Sequence, residues 1–126
     1  MASSAPNRSL VGRAAAILTT GEVAGAALDL NLTHASTVSV DFSFTIGSLT
    51  NVIVKAYAST DGTTYDPVTD HSGAAWSRTE TASVERCYSI PAMPGWKFFR
   101  LTLTGTGTVT SSTAAYTYRY LRFGSQ

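Results

Sequence analysis

A chain of 126 residues, 44% of them hydrophobic, is long enough for one domain with its own core, without disulfides or metal. Only 13% of residues are charged, about half the usual share, and nine Lys+Arg against eight Asp+Glu leave a net charge of +1. This excludes a basic field able to hold nucleic acid nonspecifically, and no apolar run approaches the ~18 residues of a membrane-spanning helix.

Polarity comes instead from 19 Thr and 15 Ser. Thr fits strands, and Ser fits turns and strand ends. A hydroxyl-rich surface with few charges suits close packing against neighbours. Seven of the nine basic residues are Arg, with only Lys55 and Lys97 as lysines. Arg serves where a cation must pair or stack at an interface, although codon usage in a GC-rich genome gives the same bias.

Residues 1–12 are small and polar, with Pro6 and Gly12, and read as a flexible N-terminal arm ahead of a domain over 13–126. Residues 14–20 suit a first strand. Ala14 to Leu18 lie behind Arg8 and Arg13 but form too short an apolar run for a secretion leader. Residues 22–27 are Ala-rich but contain Gly25, which argues for a loop or single turn over a helix, and a short strand follows over 27–32. Val38, Val40, Phe42, Phe44 and Ile46 alternate with Ser39, Asp41, Ser43 and Thr45, so a strand puts all the apolar side chains on one face. In the next strand, 51–59, Val52, Val54, Ala56 and Ala58 share a face. The opposite face carries Ile53, Lys55 and Tyr57, a mixture that suggests cover by a loop or partner.

Asp61-Gly62 then predicts a tight two-residue hairpin turn, with 63–68 pairing back. Residues 69–79 form the longest irregular segment, with Asp70, His71, Gly73 and Trp76. Alternation resumes over 81–90, with Ala82, Val84, Tyr88 and Ile90 on one side, interrupted by Arg86. Pro91 and Pro94 mark a hard turn. In the strand 96–104, Phe99, Leu101 and Leu103 lie opposite Phe98, Arg100, Thr102 and Thr104. Gly105-Thr106-Gly107 marks a hairpin tip or bulge, which 109–113 extends. The last strand, 116–123, lines up Tyr116, Tyr118 and Tyr120. Seven or eight strands with turn signals every eight to twelve residues predict an all-β, two-sheet antiparallel β-sandwich or jelly-roll-like domain.

Chemistry is sparse. The eight acidic residues are dispersed, and no nucleophile, phosphate-loop or metal motif is present. Asp61, Asp66 and Asp70 could offer oxygens to calcium, but the spacing fits no known loop and turn chemistry explains them better. Cys87 is the lone cysteine, with only His34 and His71 as possible bases, and reads as a packed, inert thiol. We therefore expect no enzymatic activity, cofactor or metal. Tyr and Trp combine a large apolar face with a polar tip, as interfaces and sugar platforms require. The Tyr116/Tyr118/Tyr120 stripe is either such a platform or half of the core with its hydroxyls at the rim. Arg119 and Arg122 flank it, as interface cations or as a solvated edge. Candidate interface residues are thus Arg8, Arg13, Trp76, Tyr116, Tyr118, Tyr120, Arg119 and Arg122.

The run Ala58-Ser59-Thr60-Asp61-Gly62-Thr63-Thr64-Tyr65-Asp66-Pro67-Val68 resembles a Ser-x-Asp-Gly-x-x-aromatic hairpin found in tailed-bacteriophage virion proteins. The stretch from Trp96 to Gly107, with Phe99-Arg100-Leu101-Thr102-Leu103, resembles the aromatic-Arg-Leu-x-Leu strand that follows in the same proteins. Together the two cover about a fifth of the chain, and similar hairpins occur in carbohydrate-binding sandwiches. The resemblance implies a small virion component on a β-sandwich with no catalytic residues. In particular it implies a capsid decoration protein at the capsid surface, partnered by capsid protein and by copies of itself in a homo-oligomer such as a trimer whose arm clasps a neighbour. No nucleic acid or membrane partner is expected. Alternatives are a head–tail or tail component, or a glycan-binding module using Trp76, Trp96 and the tyrosines.

Overall fold

Period-two alternation builds ten strands in the computed structural model, which describes residues 7–18, 20–29, 37–70, 72–91, 96–108 and 111–121. One sheet contains β1 (Asn7–Ile17), β10 (Thr113–Leu121), β4 (Thr37–Thr45) and β8 (Val84–Pro91), in that spatial order. The other is centred on β9 (Phe98–Gly107) and β5 (Leu49–Ser59). Two short strands, β2 (Val23–Ala24) and β3 (Leu28–Asp29), line the free side of β9. Two more, β6 (Asp66–Pro67) and β7 (Ser77–Glu80), line the free side of β5. All pairings are antiparallel.

The pairs β1–β10, β2/β3–β9, β4–β8 and β5–β6/β7 form one long antiparallel ribbon. Rolling it up lays β10 beside β4 and β9 beside β5. This is the double Greek key of a jelly roll, so the all-β sandwich expected from the sequence is the observed fold.

The inner faces interdigitate as the alternation requires. Val38, Val40, Phe42 and Phe44 of β4 face Val52, Val54, Ala56 and Ala58 of β5 and Phe99, Leu101 and Leu103 of β9, all buried. Each such large side chain contributes roughly 1.5–3 kcal/mol by leaving water. Phe42 lies 5.6 Å from Tyr88, and Trp76 meets Tyr88 edge-on at 5.5 Å. Arg86, which interrupts the apolar pattern of β8, is at a sheet edge. Its Nε lies 3.3 Å from Glu80 of β7, which also accepts the Tyr88 hydroxyl at 2.5 Å, so the pair clasps one sheet to the other.

Several local expectations are corrected. Residues 7–12, assigned to the arm, pair with β10 as the first half of β1, and only 1–6 of that arm lie outside the described residues. The 22–27 loop holds strand β2, and the irregular segment ends at β7. Gly105-Thr106-Gly107 stays paired in β9 and is no hairpin tip; the register shift opposite it leaves Thr50 of β5 as the bulged residue. Residues 30–36, 92–95, 109–110 and 122–126 lie outside the described residues, as do parts of the predicted short strand and proline turn and the end of the last predicted strand.

Candidate functional site

The two motifs that resemble phage virion proteins meet in space. The turn after β5 is longer than the predicted two-residue hairpin: pairing resumes only at Ala58↔Asp66. The reason is conformational. A type I′ turn needs positive φ at both central residues, and only Gly62 (φ +82°) supplies it, since no non-glycine residue described has positive φ. Side chains build the loop instead. Ser59 Oγ accepts the N–H of Gly62 at 2.8 Å, and Asp61 Oδ1 accepts those of Thr63 and Thr64 at 2.8 and 2.9 Å. These backbone donors, Thr64 foremost, hold the Asp61 carboxyl below its ordinary range. A Cβ on Gly62 would sit 3.0 Å from the Phe98 ring, and Lys97 N–H donates to Ser59 O at 2.8 Å. The loop is thereby fastened to the start of β9.

This construction delivers Tyr65 to the outer face of the β9–β5 sheet. The Arg100 guanidinium lies over its ring, 3.9 Å from the centroid. Arg100 is opposite Tyr57, and Thr102 is opposite Lys55. Above them Glu22 Oε2 accepts the Thr102 hydroxyl at 2.6 Å and the Tyr57 hydroxyl at 3.2 Å. The Thr102 bond, with smaller help from Tyr57, Lys55 and Arg100, keeps Glu22 ionised below the ordinary range. Burial and the Glu22 charge raise the Tyr57 phenol. The mixed face of Ile53, Lys55 and Tyr57 is thus covered in part by Glu22 and Tyr65. Arg100 went unremarked as a site residue, although its motif was visible in the sequence.

Most sequence-predicted interface residues have other work. Tyr116 and Tyr118 are 1% and 0% exposed, so they belong to the core and form no platform. Their hydroxyls patch a break in the opposite sheet. Between β2 and β3 the edge leaves the Leu101 backbone without a strand neighbour. Tyr118 Oη accepts Leu101 N–H at 3.2 Å and donates to Ala26 O at 2.8 Å, while Tyr116 Oη donates to Leu101 O at 2.9 Å. Trp76 is 2% exposed beneath Arg78 and offers no open ring to a sugar, while Trp96 packs half-buried against the core. Arg13 Nε and Nη2 donate to Ala114 O at 3.1 Å and Ile17 O at 3.0 Å, filling the β1 bulge where the ladder slips. Arg119 pairs with Asp41 at 2.6 Å on the exposed face of the other sheet. The backbones of Arg8 and Tyr120 pair with each other, and Arg122 lies outside the described residues.

Cys87 is exposed and not packed, because its side of β8 faces outward. With Asp41, Ser43, Glu85, Ala115 and Thr117 it lines a shallow depression of about 380 Å³. Asp70 accepts the hydroxyl and N–H of Ser72 at 2.7 and 2.9 Å, the first of which most lowers its carboxyl, so it is a turn residue. Among the described residues no three His, Cys, Asp or Glu gather to hold a metal.

No family model and no curated protein matches the chain, but solved structures do. A structure described as "Bacillus endospore appendages form a novel family of disulfide-linked pili" superposes with TM-score 0.58 at 11% identity, covering 95% of this chain and 90% of that one. The SPBc2 prophage-derived protein YomS superposes with TM-score 0.56 at 15% identity, covering 94% and 96%. The structure of infectious bursal disease virus Gx strain covers 98% of this chain and 35% of its own at 13% identity, with TM-score 0.46, too weak a match to bear on function. At these identities the first two likenesses show a shared fold.

Proposed function

We propose that this protein is a non-enzymatic virion structural protein, a capsid decoration protein that stabilises a phage head by binding capsid protein and copies of itself. The observation that carries this reading is the junction at Tyr65 and Arg100. Tyr65 and Arg100, from the two segments that resemble tailed-phage virion proteins, are 35 residues apart in sequence, yet the segments form one packed unit. The end-to-end likeness in fold to a prophage-derived protein supports it. So does a low-charge, hydroxyl-rich composition suited to repeated weak contacts, whose effect a symmetric lattice multiplies. The glycan-binding alternative loses three of its proposed platform residues, since Trp76, Tyr116 and Tyr118 are inside.

Purified protein should co-sediment with capsids that lack it, saturating at a copy number set by capsid symmetry. Binding to isolated tails or connectors but not to capsids would transfer the role to a head–tail or tail component. Binding to none of these would end the virion reading.

A further inference from the structure

The Arg100 guanidinium has one N–H without an acceptor. Its Nε is shut off from solvent and has no hydrogen-bond partner. Every other arginine whose side chain is described has one: Arg13 bonds backbone carbonyls, Arg78 bonds Ser77 O, Arg86 pairs with Glu80 and Arg119 with Asp41. The nearby carboxylate, Glu22, gives Oε2 to Thr102 and Tyr57 instead. A buried donor left unmet is costly and calls for a partner.

The stacking geometry defines that partner. The Arg100 guanidinium sits over the Tyr65 ring, 3.9 Å from its centroid, so the ring holds the planar N–H fork in place on the outer face of the sheet. Such a fork matches a planar carboxylate in bidentate fashion. Lys55 adds a second positive charge, whereas Glu22 limits the site to a single negative group and repels a polyanion such as nucleic acid. A sugar acid is disfavoured: Arg100 takes one face of Tyr65, and the Tyr57 hydroxyl is already held by Glu22, so a pyranose would find one ring face and no free phenol hydroxyl at Tyr57. Tyr and Arg around a half-buried centre are the composition of a protein-binding hot spot.

We infer that the outer face of the β9–β5 sheet is the docking face for the protein partner, with Arg100 receiving an Asp or Glu carboxylate from it. The identity of that partner as capsid protein rests on the function proposed above; the carboxylate site does not. The test has two arms on the full chain. In the first, the Nε–Hε resonance of Arg100 is followed by NMR while a short peptide with one internal glutamate and both termini capped is added. A saturable shift at Arg100, absent at Arg119, is expected; no saturable shift overturns the inference. In the second, Arg100→Ala should weaken capsid co-sedimentation roughly tenfold or more, while Arg119→Ala on the opposite face leaves it unchanged. Undiminished binding by Arg100→Ala also overturns the inference. A shift at Arg100 in a wild-type protein that ignores capsids would sink the decoration role and leave the docking face standing.

Discussion

The hydroxyl of Tyr118 offers a sharp test of how the sandwich is closed. It is fully buried, accepts Leu101 N–H and donates to Ala26 O. Tyr118→Phe keeps the ring, and with it the edge-on contact to Phe99 at 5.9 Å, but strands both backbone groups. An unsatisfied buried group costs about 1–3 kcal/mol, and two stranded groups with partial relaxation give about 2–3 kcal/mol. For a domain of this size that corresponds to a fall in Tm of about 10 °C. Tyr116→Phe removes one donor to Leu101 O, which still receives Gly25 N–H at 3.4 Å, so its cost should be nearer about 1 kcal/mol. Urea and thermal melts of the two variants measure both the size and the order. If both lie within about 0.5 kcal/mol of wild type, or if Tyr116→Phe is the worse, the hydroxyls do not mend the break between β2 and β3.

Gly25→Ala should destabilise by more than the usual overpacking range of about 1–3 kcal/mol, because its Cβ would lie 2.1 Å from Tyr116 Oη and 2.4 Å from Gly12 O; Gly21→Ala, with nothing within 4 Å, is the control in the same melts. Burial raises the phenols of Tyr88, Tyr116 and Tyr118. Their neutral forms therefore contribute stability that is complete below the unfolded value of about 10 and is lost as pH climbs past it; phenolate absorbance should show these three titrating only with unfolding. Glu22, Asp61 and Asp70 are depressed, so their contribution is present above the ordinary carboxylate range and lost as pH falls through it. Asp61→Asn should flatten part of that acid limb in a pH series of melts. Cys87, being exposed, should react with Ellman's reagent in the native protein at one thiol per chain, where a packed thiol would wait for denaturant.

Strict alternation made β4, β5 and β9 legible, because period two assigns each side chain to a face without knowledge of its neighbours. It could not say which face points inward. Tyr116 and Tyr118 were therefore ambiguous, and Cys87, correctly placed opposite Tyr88, was mistaken for a packed residue. The two-residue strand β2 has no pattern of its own and exists because β9 offers an edge, whereas β3 falls within the short strand expected over 27–32. The reach of Asp61 to Thr63 and Thr64 turned a two-residue hairpin signal into a longer loop. Arg100 looked like one more polar residue on an outward face. Its role depends on Tyr65, which only that loop brings to it.

The two sides of β9 share a peptide, and that makes the docking face depend on the core. The N–H that Tyr118 Oη accepts belongs to the amide joining Arg100 to Leu101. The inner hydrogen bond therefore fixes the plane from which the outer guanidinium departs toward Tyr65. If this placement matters, Tyr118→Phe should weaken partner binding although its ring never reaches the surface. The loss should vanish when Arg100 is already alanine, since no fork remains to be misplaced. Residues so linked couple by about 0.5–3 kcal/mol in double-mutant cycles. A cycle on capsid affinity, run well below the melting point of the weakest variant, separates this from general instability. Strict additivity of Tyr118→Phe and Arg100→Ala would mean that Tyr65 alone positions the fork and that the tyrosine core serves only to hold the sheets together.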